Sequence, residues 1–185
     1  MNSIELMVNE HKYIKRMLVV LRKYSCKIVQ GENVNVDDFY LMIDFVRNFA
    51  DKHHHGKEEE FLFNKMMEHQ GPAAEKLVRH GMLVEHDLGR LHMTELELAL
   101  TRFKDGDDEA KIDIIANAVG YANLLTRHID KEDNVVYKFA ENGLPKETLK
   151  EIDEQCKAFE ENALKDQIRE KYIGILEGLE KKLSR

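Results

Sequence analysis

Apolar side chains recur at alternating three- and four-residue steps along almost all of this chain, and only two prolines interrupt its 185 residues. Such spacing returns side chains to one face of an α-helix on every turn, and the scarcity of proline lets helices run long. The first stripe reads Ile4, Met7, His11, Ile14, Leu18, Leu21, Ser25 and Ile28, so a helix is expected from Ser3 to Gln30. A turn at Gly31 to Val36 follows, and Asp37 or Asp38 is expected to cap a second helix reaching His69. Its first face, Phe39, Met42, Val46 and Phe49, does not continue straight into its second, Leu62 and Met66. A bulge near His53–Gly56 is therefore expected. Gln70-Gly71-Pro72 breaks the chain, and Pro72 suits the first turn of a third helix.

The third helix carries Met82, His86, Gly89, Met93, Leu96, Leu100 and Phe103 on one stripe. After a polar turn, the fourth carries Ile114, Ala118, Tyr121, Leu125, His128, Glu132, Val135 and Phe139, and ends at Asn142-Gly143. Strand signals are absent. The expected fold is all-α, an antiparallel up-down four-helix bundle over 1–143 with a C-terminal helical extension, 144–185, packed on it. In the extension, Phe159, Leu164, Ile168, Tyr172, Ile175 and Leu179 are expected to cover one side of the bundle.

Composition narrows the setting. Hydrophobic residues at 43% and charged residues at 34% fit a globular helical domain. A net charge of −7 argues against nucleic acid or an anionic membrane as main partner. No apolar run approaches the roughly 20 residues of a membrane span, and Met1-Asn2-Ser3-Ile4-Glu5 does not open a secretory signal. Cys26 and Cys156 form no paired motif, so a cytoplasmic location is expected.

Nine histidines carry the chemistry. His11, His86 and His128 each sit on the apolar stripe of a different helix, and His55 joins the later inward face of the second. A buried imidazole needs hydrogen-bond partners or a metal. Two of these four have a glutamate four residues on, His55 with Glu59 and His128 with Glu132, which puts each pair on one helix face. Inward carboxylates are tolerated when a cation compensates them. His54 with Glu58 is a competing register of the first pair, and His53 and His54 can equally be polar residues at the bend. Gly89 leaves room for a ligand or for a close helix, and the Tyr121 hydroxyl can point into the site or simply be core. Glu10 and Glu85 precede inward histidines and can orient them. Arg90 is expected to meet a carboxylate of a neighbouring helix, and His69, His80 and His92 to be exposed.

Imidazole and carboxylate donors without thiolate point to Fe, Mn or Zn, and two carboxylates free to bridge point to two ions. Six protein donors cannot saturate two octahedral ions, so water, hydroxide or oxo fills in and an exchangeable position remains. The order His, His-x-x-x-Glu, His, His-x-x-x-Glu, carried by Glu10-His11, His54-His55-Gly56-Lys57-Glu58-Glu59, Glu85-His86-Asp87-Leu88-Gly89-Arg90 and His128-Ile129-Asp130-Lys131-Glu132, resembles the hemerythrin-like, HHE cation-binding family over roughly 4–141.

That resemblance implies His11, His55, Glu59, His86, His128 and Glu132 as ligands of two non-haem iron ions joined by oxo or hydroxo, with Glu59 and Glu132 bridging. It implies binding of O2 or a related small ligand such as peroxide or nitric oxide for sensing, storage or detoxification, with a protein redox partner as a possible companion. A di-iron enzyme that decomposes peroxide or handles nitric oxide is the alternative. Oxygen-carrying members have a fifth histidine one turn beyond the ligand of the third helix, where this chain has Arg90. Simple oxygen transport is accordingly not expected. A ferritin-like oxidase is disfavoured because no histidine here has a glutamate three residues before it.

Overall fold

A computed structural model describes residues 2–184; Met1 and Arg185, at the outer ends of the two expected segments, lie outside the described residues. The described chain is all-α, with no strand. Helix α1 is Ser3–Val29. Helix α2 (36–69) joins Val36–Phe45, Val46–His55, Glu58–Leu62 and Phe63–His69. Helix α3 (71–104) joins Gly71–Leu77, Val78–Met82 and Leu83–Lys104. Helix α4 (110–143) joins Ala110–Lys131, Glu132–Val136 and Tyr137–Gly143. Helices α5, Lys146–Lys165, and α6, Ile168–Leu183, complete the order.

Short turns return the chain on itself, so sequential helices run antiparallel. Gly71 at φ +67 and Gly106 at φ +98 reverse direction in the left-handed region, where a Cβ would be strained. Asn2 and Asn35 cap the first two helices by accepting from Glu5 N (3.0 Å) and Asp38 N (3.1 Å). The expected cap at Asp37 or Asp38 is thus one turn late. Asp38 is instead buried, accepting from the Tyr24 hydroxyl at 2.7 Å and from Lys182 of α6 at 2.5 Å.

Apolar burial is divided into two halves. One unites Ile14, Leu21, Phe39, Phe49, Leu96 and Leu125 with Tyr172, Leu176 and Leu179 of α6. The other unites Met7, Phe63, Met66, Met82 and Tyr137 with Ile152 and Cys156 of α5. A full large side chain in either half contributes ~1.5–3 kcal/mol. Between them lies a layer of buried His11, His53, His54, His55, Glu58, His86, His128 and Glu132. Each bundle helix crosses this layer once, for example from Met7 through His11 to Ile14.

Four stretches are π-helical: Val46–His55 and Glu58–Leu62 in α2, Val78–Met82 in α3 and Glu132–Val136 in α4. A π-turn bonds i to i+5 and wraps more residues into each turn, so the inward face slips past it. The bulge expected near His53–Gly56 is this device, and longer than expected. In α4 the same slip corrects the stripe: Val135 (54% exposed) and Phe139 turn outward, while Val136, Tyr137 and Ala140 are buried. In the extension Leu164 is likewise exposed and Leu176 takes the inward place.

Candidate metal centre

The polar layer brings together residues from four helices in two abutting groups. His55, Glu58, His86 and His128 form one, and His11, His54, Glu58 and Glu132 the other; within each, the donor atoms all lie within 4.8 Å of one another. Every member is buried.

The imidazoles are oriented alike. His11 Nδ1 meets Asp133 at 2.7 Å, His54 Nδ1 meets Glu10 at 2.8 Å, His55 Nδ1 meets Asp51 at 3.3 Å, His86 Nδ1 meets Glu59 at 2.6 Å and His128 Nδ1 meets Glu85 at 2.8 Å. All five rings therefore donate Nδ1–H to a carboxylate and turn Nε2 inward. Nearly every outer carboxylate has its own cation: Lys15 on Asp133 (2.9 Å), Lys131 on Glu85, Lys57 on Glu10, and Arg90 shared by Asp51 and Glu59, both at 2.7 Å. A carboxylate behind the imidazole fixes tautomer and orientation and raises basicity, the arrangement found behind metal-bound histidines.

The inward atoms lack ordinary partners. His11 Nε2 faces His54 Nε2 at 2.9 Å, and His86 Nε2 faces His128 Nε2 at 3.0 Å. In the neutral rings, with Nδ1 carrying the proton, these are lone pairs pointed at one another. Glu58 Oε2 and both oxygens of Glu132 are buried with no hydrogen-bond partner. Glu132 spans the groups, with Oε1 2.9 Å from His128 Nε2 and Oε2 3.3 Å from His11 Nε2. Glu58 Oε2 lies 3.6 Å from His86 Nε2 and 3.8 Å from His54 Nε2. The remaining oxygen, Oε1, accepts from the Tyr137 hydroxyl at 2.5 Å. An orphaned buried carboxylate oxygen costs ~1–3 kcal/mol or more, and cations between these donors remove that cost. The donor set fits metal ions.

The electrostatics agree. Burial, helped by the charge of Glu132, pushes the Glu58 carboxyl well above its ordinary range. Burial opposes charge on Glu132 too, but the imidazoles of His128, His11 and His86 hold it well below. Burial disfavours charge on His128, yet Glu132 and Glu85 lift it to about 9. Burial and the neighbouring His11 lower His54 to about 4, and burial with His86 alongside takes His55 well below its ordinary value.

The structure places several of the expected site residues differently. Glu59 belongs to neither group; it is 28% exposed and stands behind His86 with Arg90. Glu58 takes the inward place because it opens the second π-helical stretch just after the first, and together they offset the face that a regular helix would give. The register is not simply the competing pair, since adjacent His54 and His55 both turn inward, one into each group. His54 thereby brings a fifth imidazole into the two groups. Gly89 touches the centre only indirectly: a Cβ there would meet Leu125 and Tyr121 at 3.4 Å. Tyr121 is buried outside both groups. His92, expected to be exposed, packs on Gly120 beside Asn117, and His53, at the bend, lies buried between Phe49 and Phe159.

Sequence reasoning missed Asp51, Asp133, Lys57 and Tyr137. Signals for three of them existed: Asp51 precedes His55 by four residues, Asp133 follows Glu132 directly, and Tyr137 stands one π-turn beyond Glu132. Lys57, fully buried, had none. Its ammonium joins Glu10, His53 at 3.3 Å and Glu160 of α5 at 2.5 Å. The third acidic group, Glu10, His53 and Glu160, thus already has its cation.

A family model described as hemerythrin HHE cation binding domain matches residues 2–140. No curated protein and no solved structure gives a match.

Proposed function

The chain belongs to the hemerythrin HHE cation-binding family, and on that premise we propose that it holds two non-haem iron ions and binds O2 or a related small ligand such as peroxide or nitric oxide. The observation that carries this reading is the convergence of five Nε2 atoms, each backed by a carboxylate, on two shared glutamates with unsatisfied oxygens.

His55, His86 and His128 would hold one ion and His11 and His54 the other, with Glu58 and Glu132 within reach of both. Bound iron supplies the reversible electron transfer to a small oxidant that no side chain here can perform. The protein supplies the rest. With both glutamates shared, three imidazoles against two would leave the His11–His54 side with fewer protein donors and so with room for an exchangeable ligand. Tyr137 stacks on His11 there (ring centroids 5.7 Å apart), donates to Glu58 and brings its hydroxyl to 3.5 Å from His11 Nε2. Met7 and Phe63, both fully buried, keep bulk water from the layer.

The test is an anaerobic reconstitution with ferrous iron followed by titration with O2, nitric oxide or peroxide. A new visible or near-ultraviolet absorption saturating near one ligand per chain is expected. A fully iron-loaded protein with no spectral response to any of the three contradicts the reading. Continued consumption beyond one equivalent would make the protein an enzyme rather than a binder. None of the described helices is long and apolar enough to cross a membrane.

A further inference from the structure

Beside the candidate centre, on the outer side of His55 and His86, lies a cavity of about 270 Å3 between α2, α3 and α4. Val46 and Met93 form its apolar walls, and Arg47 and Thr94 stand at its mouth. At its inner end is Tyr121, 2% exposed, whose hydroxyl has no hydrogen-bond partner. A buried phenol hydroxyl without a partner is costly, and here it belongs to a side chain that lines an open space. Gly89 lines the same space; a Cβ on it would make only ordinary contact, so helix packing does not demand a glycine there, whereas a larger side chain would fill the cavity.

We propose that this cavity is a binding site for a compact, uncharged, largely apolar molecule bearing one hydrogen-bond acceptor, such as an aromatic ketone or quinone carbonyl, with Tyr121 as donor. The size admits a small organic molecule and exceeds what O2 needs. Charge selection is absent because the cations at the mouth are already paired: Arg47 with Glu97 at 2.7 Å, and Arg90 with Asp51, Glu59 and Asp87. Asp51 is likewise engaged by Arg90 and His55, leaving the phenol as the free polar group. Burial first, and then the nearby Asp51 charge, raise the phenol far above neutrality, so it remains a donor. An occupant would rest against His55 and His86, which line the same space.

The site needs no ion to form, so its test separates from that of the metal reading. The probes are 4-fluoroacetophenone and, lacking the acceptor, 4-fluoroethylbenzene, followed by 19F NMR with the metal-free and the iron-loaded chain. Broadening and displacement of the ketone line are expected with both forms. Tyr121→Phe should weaken the ketone roughly 3–10-fold and leave the hydrocarbon unchanged. Thr94→Trp, at an exposed position that should tolerate it, should block both probes. No ketone binding up to low-millimolar concentration overturns the proposal, as does equal ketone affinity in Tyr121→Phe or undiminished binding in Thr94→Trp.

Discussion

Glu58→Gln is expected to abolish loading of at least one ion per chain, while Glu59→Gln keeps both. Glu58 lies in both donor groups, and its Oε2 is buried without a partner. Glu59 acts one bond further out, accepting from His86 Nδ1 and Arg90. Loss of such an outer partner weakens metal affinity ~10–100-fold rather than removing a site. Metal content per chain after gel filtration, with helicity checked by circular dichroism, reads the difference. The opposite ranking would return the bridge to Glu59.

The second large effect is on stability. Without a metal ion the bundle keeps in its core three buried carboxylate oxygens, whose nearest polar neighbours are imidazole nitrogens, and two pairs of facing Nε2 atoms. Ions binding at concentrations ~1,000-fold over Kd add ~4 kcal/mol. For a chain of this size that is ~8–16 °C in Tm. The gain depends on pH with a definite sign. In the metal-free chain His128 is raised from 6.5 to about 9, so its protonated form is a substitute cation. Its contribution is complete below pH 6.5 and is lost as pH rises through about 9. Metal binding displaces that proton. The metal-free Tm should therefore fall between pH 6.5 and 9, and the gain on loading should widen over the same range. Thermal unfolding with and without metal across that window checks both. A gain that is absent, or that narrows as pH rises, contradicts this account.

The fold was legible because apolar spacing, scarce proline and turn residues agree over whole helices. Much of the candidate donor set was legible as well, since His11, His86, His128 and Glu132 occupy stripe positions that regular helical spacing locates. Glu132 could be placed from His128 because the segment between them is α-helical and the π-turn starts only at Glu132. In α2 the π-helical stretches surround the donors, so regular spacing selects Glu59 where the backbone presents Glu58, and it separates His54 from His55 where both turn inward. The outer ring was harder to read because it depends on contacts between helices: Lys57 meets Glu160 across 103 residues, and His11 meets Asp133 across 122. Such pairs leave no periodic trace. The extension was expected to be only a cover, yet through Glu160 and Lys57 it reaches the Glu10 carboxylate that orients His54.

The most direct measurement is anomalous diffraction at the iron edge from crystals of the iron-loaded protein. Two peaks should appear, one among the Nε2 atoms of His55, His86 and His128 and one between those of His11 and His54, both reached by Glu58 and Glu132. A single peak, or iron lodged instead at Glu10, His53 and Glu160, would contradict the account.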